Sequence, residues 1–105
     1  MRYTGYVYKI TNRVNSMIYI GMSKAAIGKR WEQHVKNSKK MINPLYVAMR
    51  ADGIENFKLE TLEVISYKNY FSSEIWWAEQ YYMQFYRSYE PAVGYNKIDD
   101  FEIGR

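Results

Sequence analysis

A chain of 105 residues, 48% hydrophobic and 25% charged, can bury one modest core but not two of independent stability, and that hydrophobic content excludes a disordered chain. No run approaches the roughly 20 apolar residues that span a bilayer, and Met1-Arg2-Tyr3-Thr4 lacks the apolar run of a secretory leader, so no membrane partner and a cytoplasmic setting are expected. The absence of cysteine excludes disulfides and thiolate metal centres, leaving carboxylate, imidazole, amide and phenol as ligating or catalytic groups, while a net charge of +4 is a mild bias toward anionic partners.

Residues 5–11 predict a strand, residues 12–16 a turn and residues 17–21 a second strand, which together make a β-hairpin. Period-two geometry puts Tyr6, Tyr8 and Ile10 on one face of the first strand and Met17, Tyr19 and Gly21 on one face of the second, so Tyr8 and Tyr19 are expected to share a face. Ser23 is the expected cap of a helix over residues 24–39. Its apolar residues Ile27, Trp31 and Val35 recur every four positions, and Arg30 and His34 border that stripe. Asn43 as cap, Pro44 at the first helical position and Gly53 past the end predict a scaffold helix with Leu45, Ala48 and Met49 facing inward.

Residues 57–65 predict a third strand. A connection follows in which Asn69, Ser72 and Ser73 compete to cap a last helix of residues 73–87. On that helix Ile75, Ala78, Tyr82, Met83 and Tyr86 form an apolar face, and Glu79 lies inside it, at about 40° from Ile75 on the helical projection. Glu74, at about 260°, faces solvent. A carboxylate in an apolar face requires a partner, hydrogen bonds or a metal, which singles out Glu79; a salt bridge, for instance to Arg30, is the structural alternative. The chain closes with Gly94-Tyr95-Asn96 and a tail without periodicity.

The segments Gly5-Tyr6-Val7-Tyr8, Tyr19-Ile20-Gly21, Arg30-Trp31-Glu32-Gln33-His34, Glu79 and Gly94-Tyr95-Asn96 together resemble the GIY-YIG nuclease family, in its phage and homing-endonuclease branch. Asn43-Pro44-Leu45-Tyr46 and Asn56-Phe57 match as well, so the resemblance runs from Gly5 to Lys97. One departure lies in the first motif, where the triplet is Tyr6-Val7-Tyr8 and the glycine stands one place early, at Gly5. The resemblance implies an α+β fold, a three-stranded antiparallel sheet flanked by helices, with a catalytic domain over residues 1–97 and a short tail over 98–105. It implies DNA hydrolysis dependent on Mg2+ or Mn2+, with Tyr8, Tyr19, Arg30, His34 and Glu79 forming the site and Gly21 and Asn96 supporting it. Members of this branch often carry a separate DNA-recognition region, and nothing after Lys97 is long enough to be one.

Each requirement of phosphodiester hydrolysis then has a candidate. Glu79 is expected to hold one magnesium ion, with water and phosphate oxygens completing its octahedron. Arg30 is expected to place planar donors on the non-bridging oxygens. The attacking water is expected to pass its proton toward Tyr8, with Tyr19 or His34 completing the hydrogen-bond chain and with the Tyr8 pKa drawn downward by Arg30 and the metal; His34 is the alternative base. Asn96 is expected to fix its loop through backbone hydrogen bonds. Lys36, Lys39 and Lys40 either suit the end of their helix or contact DNA phosphates. A DNA-binding or assembly module without cleavage is the competing function class, and the presence of both Arg30 and Glu79 argues against it.

Overall fold

A computed structural model describes residues 2–68 and 73–97 of the chain. In order it contains strand β1 (Tyr3–Asn12), strand β2 (Ile18–Ser23), helix α1 (Ile27–Ser38), helix α2 (Pro44–Asp52), a single 3-10 turn (Ile54–Asn56), strand β3 (Phe57–Tyr67) and helix α3 (Glu74–Tyr86). The sheet has the order β2-β1-β3 with both pairings antiparallel, so β1 is the central strand. Asn69, Ser72 and the tail from residue 98 lie outside the described residues; of the three candidate caps, Ser73 occupies the position before α3. None of the helices among the described residues is long and apolar enough to cross a membrane.

The hairpin forms because Asn12 organises its turn. Its side-chain oxygen accepts from the Val14 N–H at 2.9 Å, and its carbonyl accepts from Ser16, which adopts a left-handed φ of 66°. Asn12 is fully buried, and its amide nitrogen donates to Asp52 at 2.7 Å and to the Tyr95 hydroxyl at 2.9 Å, tying the turn to α2 and to the C-terminal segment.

Strand alternation divides the core into two layers. Tyr8 and Ile10 pack with Leu45, Tyr46 and Met49 of α2, and with Ile27, Trp31 and Val35 of α1. On the other face Val7, Ile18 and Ile20 pack with Ile75 and Met83 of α3. Opposing pairs are Tyr8 with Gly21 and Ile10 with Tyr19, so Tyr8 and Tyr19 do lie on one face, diagonally across the hairpin. A bulge interrupts the β1–β3 pairing beside Tyr8: Val7 opposes Glu63 and Tyr8 opposes Thr61, which leaves Leu62 as the extra residue.

Two expectations are corrected. Ser23 does not cap α1, because it is still paired in the sheet opposite Tyr6 and its hydroxyl is bonded to the backbone of Ala25; the helix starts at Ile27 with Ala26 before it. His34 does not border the buried face but is its most buried member, at 0% exposure, while Ile27, Trp31 and Val35 are only half-buried. Asn43, Pro44 and Gly53 delimit α2 where the sequence signals put them, although the Asn43 side chain makes no capping hydrogen bond. Strand β3 runs two residues beyond its expected end, since Tyr67 pairs with Tyr3 and stacks on it at 5.6 Å between ring centroids.

Gly5 has a packing role. A Cβ at this position would run into Cδ1 of Ile75 and come within 2.8 Å of its Cγ1, so glycine lets α3 lie directly on the central strand. Gly5→Ala is therefore expected to destabilise the fold by about 1–3 kcal/mol, the usual cost of overpacking. Adding Ile75→Val, which removes Cδ1, is expected to restore part of the loss in urea denaturation; an unchanged midpoint in Gly5→Ala would contradict this packing.

Candidate active site

The sequence on β1 and β2 creates a site by placing a large residue opposite none. Tyr8 faces Gly21 across the hairpin, and a Cβ on Gly21 would run into the Tyr8 ring and hydroxyl. The phenol therefore lies over the neighbouring strand and points beneath α1. There its oxygen accepts a hydrogen bond from Nε of Arg30 at 3.0 Å and sits 2.6 Å from Nε2 of His34. Arg30 and His34 can both reach it because residues four apart lie on one side of a helix.

The other ring nitrogen of His34, Nδ1, is 2.9 Å from the Tyr46 hydroxyl on α2. The imidazole is thus held at both ends by phenols. Tyr19 adds its ring edge-on at 5.8 Å from His34. The guanidinium of Arg30 donates through Nε to Tyr8 and through Nη1 to Gln33 at 3.0 Å, and among the described residues Nη2 has no hydrogen-bond partner. Glu79 on α3 is half-buried, and its negative charge acts on the Tyr8 phenol, which places the two groups within electrostatic reach. The structure so brings Tyr8, Tyr19, Arg30 and His34 together beneath α1, while Glu79 stands on α3, which packs on the other face of the sheet, and acts on Tyr8 through its charge.

It does not bring Lys36, Lys39 and Lys40 there. All three are exposed at the far end of α1, and Lys36 lies about 200° around the helix from His34. The last carbonyl of that helix, on Ser38, is met by a different cation, since Arg50 donates to it at 2.7 Å and to the Met41 carbonyl beyond the helix at 2.6 Å. Asn96 acts on the sheet edge. Its amide oxygen accepts from Ile20 N–H at 2.8 Å and its nitrogen donates to Ile20 C=O at 3.0 Å, while Gly94 bridges to Ile18 as a short parallel extension of β2. A groove of about 870 Å³ between α2 and the C-terminal segment includes none of Tyr8, Arg30, His34 and Glu79.

Tyr46 is the site residue that the sequence reading missed. It was in view as part of the Asn43-Pro44-Leu45-Tyr46 segment, but α2 reads as scaffold. A signal existed: Tyr46 lies only about 60° from the inward Met49 on the helical projection, and it is buried alongside Leu45 and Met49.

Electrostatics reverse one expectation. Burial pushes the Tyr8 phenol up to about 12, because the pull of Arg30 is weaker than the loss of solvation and Glu79 adds to the rise. Burial also opposes charge on Arg30, yet Tyr8, Tyr19 and Tyr46 hold its pKa above the ordinary value. Burial, followed by the repulsion of Arg30, lowers His34 to about 4, so the imidazole is neutral at physiological pH.

This neutrality has a stability consequence. As pH falls below 6.5 the unfolded chain takes up the histidine proton while the folded chain does not, so stability is complete above about pH 6.5 and declines until about pH 4. The expected loss is up to about 1.4 kcal/mol per pH unit in that window. Urea titrations of the wild type and of His34→Gln should differ in this slope; equal slopes would show that His34 is not held neutral.

A family model described as the GIY-YIG catalytic domain matches residues 4–96. A curated relative, uncharacterized protein 019R of Invertebrate iridescent virus 6, is 31% identical over 94 residues, amounting to 89% of this chain and 33% of the relative, so the chain spans about a third of that relative's length. Among solved structures, a glutamate-to-alanine mutant of the catalytic domain of intron endonuclease I-TevI is similar with a TM-score of 0.76 and 27% identity, over 96% of this chain and 99% of that one. The catalytic domain of homing endonuclease I-TevI is similar with a TM-score of 0.71 and 25% identity, over 89% of this chain and 97% of that one. With the expected three-stranded sheet and helices in place, the chain belongs to the GIY-YIG family of endonuclease catalytic domains.

Proposed function

We infer that this domain hydrolyses DNA phosphodiesters with Tyr8 as general base, Arg30 as the stabiliser of transition-state charge and Glu79 as the metal-holding carboxylate. The observation that carries this reading is the Tyr8 hydroxyl held between Arg30 and His34 within reach of the Glu79 charge. His34 is the less suitable base, because both of its ring nitrogens are engaged by phenols and neither faces a substrate. It acts through Tyr8.

Arg30 keeps Tyr8 in place through Nε and presents Nη2 to a non-bridging phosphate oxygen, with planar geometry that a lysine lacks. Its charge persists at any working pH. Tyr8 itself is fully buried, so a neighbouring side chain must shift for an attacking water to meet its oxygen. The raised phenol pKa makes the ionised base scarce at neutral pH, which is a cost that any nearby positive charge reduces.

The donor set fits a magnesium or manganese ion. Among the described residues no three carboxylate or imidazole groups converge as a dedicated cage, and magnesium takes one or two carboxylates together with waters and substrate phosphates. Glu79 would supply that carboxylate; the ion, when bound, contributes Lewis-acid stabilisation of phosphate charge. DNA is the partner, approaching the α1 side of the sheet. Between residues 24 and 40 six cations accompany a single carboxylate, Glu32, which favours the phosphate backbone there. Lys36, Lys39 and Lys40 then contact phosphates away from the scissile bond and position the duplex without reading its sequence.

Nicking or linearisation of supercoiled plasmid, with magnesium and with chelator, tests the activity. DNA binding with no cleavage in any divalent metal would instead identify a non-cleaving module. Glu79→Gln is expected to abolish cleavage and keep metal-free binding, whereas Glu74→Gln, exposed at the start of α3, stays near wild type. Arg30→Ala should lose about a hundred- to a thousandfold in kcat, the usual cost of one preorganised donor. Lys36→Ala should weaken binding and reduce its salt dependence by about one unit of slope. Equal losses in the two variants, through binding alone, would remove the role given to Arg30.

The base assignment has its own readout in the pH–rate profile. With the phenol near 12, wild-type rates at saturating substrate should climb through the alkaline range for as long as the protein stays folded. Tyr8→Phe should lose most activity together with that climb. An intact alkaline limb in Tyr8→Phe would exclude Tyr8 as the base.

A further inference from the structure

Resting on the nuclease reading above, we propose that Gln33 is a positioning residue for Arg30: its amide oxygen braces Nη1 of the guanidinium, so that the plane held against Tyr8 through Nε presents Nη2 beside the Tyr8 oxygen, to the phosphate that is cut.

A guanidinium tied at one atom can still turn. The bond from Nε to the Tyr8 oxygen at 3.0 Å fixes one point of Arg30 and leaves the two terminal nitrogens free to change places by rotation about Nε–Cζ. The second bond, from Nη1 to Oε1 of Gln33 at 3.0 Å, fixes the plane. The orientation of the Gln33 amide is not open here, because a guanidinium only donates and the atom it meets must be the carbonyl oxygen.

No neighbour along α1 can take the place of Gln33. Side chains three and four positions away are the ones within reach of Arg30, and these are Ala26, Ile27, Gln33 and His34. Ala26 and Ile27 have no polar side chain, and the ring nitrogens of His34 are engaged by Tyr8 and Tyr46. Glu32, two positions on, is exposed and turned about 200° away.

The brace on Nη1 leaves one particular nitrogen over. Nη2 is the terminal nitrogen trans to Cδ, and in the planar fork one of its N–H groups points the same way as Nε–H, along the edge that binds acceptors in pairs. Nε–H already meets the Tyr8 oxygen, so the parallel N–H of Nη2 points to the space next to that oxygen. A phosphate oxygen bound there lies beside the phenol that takes the proton from the attacking water. Base and phosphate thus share one edge of one side chain. An amide suits the brace because its single acceptor oxygen satisfies Nη1 alone. A carboxylate has two oxygens for Nη1 and Nη2 together, and would withdraw Nη2 from the substrate.

Because rotation about Nε–Cζ exchanges Nη1 with Nη2, the brace has a readout that needs no substrate. In the full 105-residue chain labelled with 13C and 15N, NMR is expected to give Arg30 separate Nη1 and Nη2 signals, assigned by their loss in Arg30→Lys. Gln33→Met, of similar length but with no oxygen, is expected to merge them and to lower kcat on plasmid by roughly tenfold with KM unchanged, a modest share of what a misplaced group can cost. Gln33→Glu should keep the signals separate and lower kcat as well. Gln33 is exposed, and methionine and glutamate are both good helix formers, so both variants should keep the wild-type urea midpoint. A single averaged Nη signal in the wild type, signals that stay separate in Gln33→Met, or wild-type kcat in either variant overturns the proposal. Signals that merge in Gln33→Met, in a protein that cuts no DNA, would instead overturn the nuclease reading and leave the Gln33–Arg30 brace standing.

Discussion

The hydroxyl of Tyr8 is a polar atom at the centre of an otherwise apolar layer, and the elements around it are arranged to satisfy it. Leaving such a group without partners costs about 1–3 kcal/mol, a sizeable share of the stability of a small domain. Three elements contribute to meeting it. Gly21 on β2 leaves the room that the ring occupies, α1 supplies Arg30 and His34, and α2 supplies Tyr46 to hold His34 from behind. Each helix on this face is therefore fixed to the sheet by polar contacts in addition to its apolar ones, and the same contacts that stabilise the layer create the chemical environment of the phenol.

That environment trades reactivity for order. Burial raises the Tyr8 pKa and lowers that of His34, so at neutral pH both groups are uncharged, and among the described residues the permanent charge in contact with them is that of Arg30. A neutral imidazole is a better structural link than a charged one here, because it can accept from one phenol and donate to the other in a single chain. Two buried cations side by side would repel in a medium of low dielectric.

The two faces of the sheet differ in charge as well as in packing. The stretch containing α1 carries six cations and one carboxylate, whereas residues 73–90, which contain α3, carry Glu74, Glu79 and Glu90 against Arg87 alone. Glu79 is the carboxylate of α3 whose field is felt at Tyr8 on the far side of the central strand. Gly5 makes that approach possible by letting Ile75 lie against the backbone of β1. On the exposed edge of β2, Asn96 takes the place of a missing strand by bonding both backbone groups of Ile20, which keeps the edge next to Gly21 from fraying.

The sequence by itself determined the order of elements, the shared face of Tyr8 and Tyr19 and the limits of α2, because these follow from periods of 2 and 3.6 and from proline and glycine at helix ends. It misplaced the start of α1, since Ser23 has the chemistry of a cap and only its pairing with Tyr6 commits it to the sheet. Tertiary structure alone decided the environment of the site. His34 looked like a flanking residue until α2 closed over it, Tyr46 looked like scaffold until its hydroxyl met Nδ1, and the direction of the Tyr8 pKa depended on how completely the ring is covered. Local sequence records the nature of each group and the face it occupies. Desolvation and hydrogen-bond partnership depend on groups many residues away, and exist only once the helices have packed on the sheet.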